Sequence, residues 1–319
     1  MTWFTNNYSD ESQRFGSPFG HWSFCEDENY FDDLANVPRD AAVLSLRPTD
    51  CNWDALASLD ALEEVTAAGL TKPQLKCLLG VKTLKRLRLW NMRQVDFTGI
   101  RQLDRLEELA LFNVSGPKSL VDIAALPALR SLLIENMRSL DDWSALSAAR
   151  GLQCLCISGG FVEVRPKVSS LAFLGDLDAL RHLHVGYVNC TAAWPVFEGL
   201  ARCAAIESVH VNSSSFSVDD MAYLDAIIPE EKQLEKRRHF VGGEDRQIAT
   251  TLEAAKQLSG DRLEWEPRVK WQKDQPYTRR GPGKRDDVFA KLAAFEDRLH
   301  TVRDRVKQAL AAGQSVREI

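Results

Sequence analysis

The feature that most constrains this chain is a leucine pattern that returns eight times. Leu-x-x-Leu-x-Leu, or a close variant, occurs at Leu84, Leu87, Leu89; Leu106, Leu109, Leu111; Leu129, Leu132, Ile134; Leu152, Leu155, Ile157; Leu180, Leu183, Val185; and Ile206, Val209, Val211. Weaker copies precede these at Ala41, Leu44, Leu46 and at Leu62, Val65, Ala67. The first positions, 41, 62, 84, 106, 129, 152, 180 and 206, are separated by 21, 22, 22, 23, 23, 28 and 26 residues. A unit this short cannot bury its apolar side alone, so the units must stack and cover one another.

Each unit carries a second signal, an apolar residue at every third position leading into the next leucine pattern. Phe97, Ile100, Leu103, Leu106 and Leu171, Leu174, Leu177, Leu180 are two examples. A period of three fits a 3₁₀ or short helical turn laid on a core, while the alternating x-Leu-x-Leu piece fits a short strand. Asn52, Asp96, Asp122 and Asp142 each precede an apolar residue that starts this ruler, where a short polar side chain can cap the first N–H groups.

These residues resemble a leucine-rich repeat protein, in the short-repeat style of the internalin and SDS22-like group, over roughly residues 41–212. The resemblance implies an α/β leucine-rich repeat solenoid: a parallel concave sheet with short 3₁₀ or α convex segments, an N-terminal cap and a helical C-terminal region. It also implies recognition of another protein on the concave face, without catalysis. One departure stands out. The family's usual Asn position, three residues after the last strand leucine, holds Met92, Val114, Met137 and Val188, with Asn91, Asn113 and Asn136 one place earlier. Either the turn differs or apolar packing replaces the buried Asn ladder.

With the leucines inward, alternate strand residues face the concavity. Arg86, Arg88, Trp90, Glu108, Phe112, Leu133 and Glu135 then place aromatics and a leucine beside both charge signs, the residue mix of binding hot spots. The competing reading is that a flanking segment folds back over Trp90 and Phe112. A second neighbourhood holds Cys154, Cys156, His182, His184 and His210, with Cys156, His184 and His210 in one lateral row. Such a row could take a soft or borderline metal or pair a thiol with an imidazole base. Parallel strands aim side chains side by side, however, which favours a polar recognition patch. The two longest units add residues after their strands, with Phe161, Arg165, Tyr187 and Trp194 as candidate contacts.

Outside the repeats the chain reads in blocks. Residues 1–40 hold eight acidic and two basic residues amid many aromatics, which suits a cap over the first unit. The solenoid runs over 41–228, closing with a helix opened by Ser217. Residues 229–285 form a mixed or linker region whose 262–285 stretch interleaves Arg and Lys with Trp265, Trp271 and Tyr277. That mix can bind single strands of nucleic acid, but a net charge of -5 argues against it. Residues 286–319 form an amphipathic helix, capped by Asp286, whose stripe of Val288, Leu292, Phe295, Leu299, Val302, Val306 and Ala309 must bury against the solenoid, a partner helix or a second copy.

The 319 residues and 45% hydrophobic content describe a globular chain that needs no staple for its core. Seven scattered cysteines without a CxxC pair suggest neither a disulfide framework nor a zinc knuckle. The start lacks a secretory signal and no apolar run is long enough to span a bilayer, so the expectation is a cytoplasmic protein with no membrane partner. No GxxxxGK[ST], HExxH or GxSxG occurs, so the expectation is a protein-binding module with no cofactor and no metal.

Overall fold

A computed structural model of the protein describes residues 29–137, 139–140, 142–159, 165–211, 215–229, 232–233, 240–241, 248–249 and 285–318. Strands β1 (Val43–Leu46) and β2 (Glu64–Ala68) open the series, followed by helix α1 (Lys72–Leu78). Then come β3 (Arg86–Trp90), β4 (Glu108–Phe112), helix α2 (Val121–Ala124), β5 (Ser131–Glu135) and β6 (Cys154–Ser158). The two-residue strands β7 (Lys167–Val168) and β9 (Asn189–Cys190) flank β8 (His182–Gly186), and β10 (Ser208–Val211) ends the sheet. Helix α3 (Val218–Ile227), the small pair β11 (Phe240–Val241) and β12 (Ile248–Ala249), and helix α4 (Arg285–Ala311) complete the described elements.

The eight longer strands form one parallel sheet in the order β1-β2-β3-β4-β5-β6-β8-β10, each pairing with the next repeat. Register follows the leucine pattern without a slip: Leu44, Val65, Leu87, Leu109, Leu132, Leu155, Leu183 and Val209 pair in one row across the sheet. A one-residue shift would expose every one of these side chains, and each is instead no more than 2% exposed. The ruler residues close the core from the other side, in 3₁₀ turns at Trp53–Ser58, Thr98–Gln102, Ser144–Ala148, Ala172–Asp176 and Gly199–Arg202. Ile100, Leu146 and Leu174 in these turns are fully buried, each burial stabilising by about 1.5–3 kcal/mol. The fold is a leucine-rich repeat solenoid.

The corner after each strand answers the question left by the displaced asparagines. Asn91, Asn113 and Asn136 adopt φ values of 51°, 53° and 57°, the left-handed region that Asn tolerates better than other side chains. Gly69 fills the same corner at φ 64°. One place later, Met92, Val114, Met137 and Val188 are at most 1% exposed. Both readings therefore hold: the corner turns one residue early, and apolar packing fills the inward slot.

Two of the four expected caps form. Asp96 accepts from the Thr98 N–H at 3.0 Å and Asp142 from the Ser144 N–H at 2.9 Å. Asn52 instead sits in the left-handed region and donates to Asp33, and Asp122 lies within α2 and pairs with Arg101. Ser217 opens α3 in a reciprocal cap with Asp220. Helix α4 packs on α3 in the same chain, burying Leu299, Val306 and Ala309 and half-burying Phe295 and Val302. Arg298 clamps Asp219 with two bonds of 2.9 and 2.7 Å. Asp286, expected as this helix's cap, falls inside its first described turn. No helix of the described residues is long and apolar enough to cross a membrane.

Candidate functional site

Three rows of side chains cross the face of the sheet that points away from the core. One runs Glu64, Arg86, Glu108, Ser131, Cys154, His182, Ser208; the next Thr66, Arg88, Ala110, Leu133, Cys156, His184, His210; the third Ala68, Trp90, Phe112, Glu135, Ser158, Gly186. The lateral neighbours expected from the repeat spacing are therefore all neighbours in the fold. Tyr187 stands apart, at the corner after β8, with φ 50°.

Exposure corrects the picture of a uniformly solvent-facing patch. Arg88, Glu108 and Phe112 are 3%, 1% and 2% exposed and His184 is 7% exposed, whereas Arg86, Trp90, Leu133, Glu135, His182, His210 and Tyr187 are half-buried. Lateral neighbours on strands about 4.8 Å apart supply part of that burial. Phe112 and Ala110 form a small buried cluster against which Trp90 and Leu133 pack.

Charges in the first row interlock. Arg86 donates to Glu64 at 3.1 Å and lies 3.6 Å from Glu108 on its other side. Both carboxylates are nearly buried, and the guanidinium offsets part of their desolvation. Glu64 was not among the candidate residues, although the alternation of Glu64, Arg86 and Glu108 at steps of 22 residues is visible in the sequence.

At the other end, His182 Nδ1 lies 2.8 Å from Ser208 Oγ, and its Nε2 is 3.8 Å from Glu207. Burial pushes the His182 pKa below the ordinary histidine value, with Glu207 opposing that shift. His184 and His210 share a 2.8 Å contact between their Nδ1 atoms, with ring centroids 4.4 Å apart. Holding that bond requires one of the two nitrogens to be unprotonated. Cys156 pairs with His184 across the strands as expected. Among the described residues, however, no group of three His, Cys, Asp or Glu side chains is arranged to hold a metal ion. The adjacent Cys154 thiol is pushed up to about 12, chiefly by burial and then by the Glu108 and Glu207 charges, which leaves it the reverse of an activated nucleophile.

Several candidates fall outside the described residues: Phe161, the aromatic stretch through residue 28, and the basic-aromatic segment of 262–284. Trp194 is half-buried and stands edge-on to Tyr223, with centroids 6.3 Å apart.

No protein-family model matches the chain, and no curated protein matches it significantly. Among solved structures, an internalin of Listeria monocytogenes, InlF, is 15% identical over 53% of this chain and 47% of its own, with a TM-score of 0.41. A leucine-rich repeat protein of Leptospira interrogans is 16% identical over 56% of each chain, with a TM-score of 0.37. The leucine-rich repeat domain of the type III effector XopL is 16% identical over 61% of this chain and 76% of its own, at 0.37. The match thus spans about half the length of the first two. Likeness at this level goes no further than the fold, which the strand register of this chain establishes by itself.

Proposed function

We propose that this chain is a non-enzymatic recognition module that binds another protein on the concave face of its sheet. The observation that carries this reading is the half-buried rim of Arg86, Trp90, Leu133 and Glu135 around the buried Phe112 and Ala110 cluster. Rigid aromatic and aliphatic anchors beside both signs of charge, held on paired strands, meet a partner with little further ordering cost. The sheet, about 34 Å across seven strand spacings, is wide enough for a folded protein. His182, His210 and Tyr187 extend the surface toward the last repeats and orient the partner by hydrogen bonding.

The partner is an effector or toxin that the chain neutralises, or a signalling protein that it scaffolds. A cytoplasmic setting agrees with cysteines that form no disulfide among the described residues. The test is capture from native lysate by wild type and by a Trp90→Ala, Glu135→Lys variant, with bound proteins identified by mass spectrometry. Both positions are half-buried and lie outside the leucine core, and melting temperatures check that the variant keeps the fold. A partner retained by wild type alone, with equal melting temperatures, is the expected result; identical capture by two folded proteins overturns the assignment.

A further inference from the structure

Burial on the concave face exceeds what the sheet itself supplies. Arg88 is 3% exposed, although its row neighbours Thr66 and Ala110 are too short to reach over a guanidinium. Phe112 is 2% exposed between Trp90 and Glu135 in the third row, and Glu108 is 1% exposed. Strand side chains stand roughly perpendicular to their sheet, so lateral neighbours cover their flanks and leave their tips open. Tips this dry need a cover from above, as parallel sheets in general are covered on both faces.

That burial belongs to a single chain, so its cover is a segment of the same chain. Among the described residues α4 packs on α3, the turns pack on their neighbours, and β3 to β6 pack chiefly on one another. Residues 1–28 lie outside the described residues, and the chain that follows them starts beside this face. Tyr30 bridges to Ser45 of β1 in parallel, and Ser45 stands in the same row as Thr66 and Arg88. The Tyr30 ring centroid is 3.6 Å from the Arg47 guanidinium, and its hydroxyl donates to Asp50 at 3.0 Å, which fixes the point of entry.

Reach and composition agree with that entry. Strand β4 lies three strand spacings, about 14 Å, from β1. The six residues from Phe24 to Tyr30 span up to ~20 Å when extended. Residues 1–28 carry seven aromatics, and five acids against one Arg. Such aromatics suit the apolar cluster of Phe112, Ala110, Trp90 and Leu133. Glu64 and Glu108 already share Arg86, and an acid from the segment suits Arg88, the other cation of β3. We propose that the aromatic segment around residues 15–24 lies across the concave face, over Arg88 and Phe112, as an internal occupant of that surface. A partner binding there has to displace it; this consequence rests on the proposed function, whereas the contact itself does not.

The test needs no partner and uses the full-length chain. Hydroxyl-radical labelling, read by mass spectrometry, compares wild type with a Phe15→Ser, Phe19→Ser, Trp22→Ser, Phe24→Ser variant. Phe112 and Trp90 should label at least threefold faster in the variant, while the core residues Phe97 and Phe197, 4% and 0% exposed, stay unchanged as controls. Equal labelling of Phe112 in the folded variant overturns the proposal. Should Phe97 and Phe197 rise as well, the variant has lost its fold and a second measurement decides. Leu133→p-benzoylphenylalanine, in the otherwise native chain at low concentration, should photo-cross-link to residues 1–28 within one molecule. Cross-links to residues 262–284 or to a second copy, or none at all, overturn it.

Discussion

Arg86 stands between two nearly buried acids, donating to Glu64 at 3.1 Å and lying 3.6 Å from Glu108. Arg86→Ala should cost about 3–5 kcal/mol in chemical denaturation, far more than an exposed ion pair such as Lys85–Glu63 would. Arg86 is thus a poor choice for separating binding from folding. Thiol chemistry gives a second prediction at this scale. Cys154 and Cys203, pushed up to about 12 and about 11 mainly by burial, should resist iodoacetamide in the native protein, while exposed Cys51 labels ahead of both. Peptide mass spectrometry would read the order. Asp96 and Asp142 supply the third. Hydrogen bonds from Thr98 and Ser144 hold their pKa values below the ordinary 3.8. A depressed folded pKa means stabilisation that is present above 3.8 and lost as pH falls below it. An Asp96→Ala, Asp142→Ala protein should therefore lose less stability than wild type between roughly pH 5 and 3, as followed by urea midpoints. What was legible in the sequence was the residue type at each corner. That Asn91, Asn113 and Asn136 serve a left-handed backbone, with Asn113 also donating to Asn91 across the repeats, depends on φ values that spacing does not encode.

Elements were legible wherever a period ran long enough. The alternation at each Leu-x-x-Leu-x-Leu fixed eight strands and their register, because a parallel sheet of identical units admits only one alignment that keeps every leucine inside. The heptad stripe of α4 was equally plain, yet spacing alone says that a face must be buried and not what buries it. The structure gives α3, with the clamp between Arg298 and Asp219 at the joint. Leu299→Ala should destabilise the protein by about 2–5 kcal/mol, measured by denaturant unfolding. Should α4 instead serve a partner helix, the substitution would leave the unfolding midpoint unchanged.

For the whole molecule, the solenoid separates the open face of its sheet from the face of its turns by construction. Inward leucines hold the repeats together, while the opposite strand face carries both buried positions, among them Arg88, Glu108 and Phe112, and half-buried ones, among them Arg86, Trp90 and Glu135. Which concave side chains are buried was not legible, since Phe112 and Trp90 read alike in sequence, yet Phe112 is buried and Trp90 half-buried in the fold. The sharpest test of concave recognition is the dissociation constant of the captured partner for wild type, Trp90→Ala and Arg202→Gln. The account predicts at least a tenfold loss for Trp90→Ala and, for a partner docked on the sheet alone, no change for Arg202→Gln. Unchanged affinity in a folded Trp90→Ala protein would contradict it.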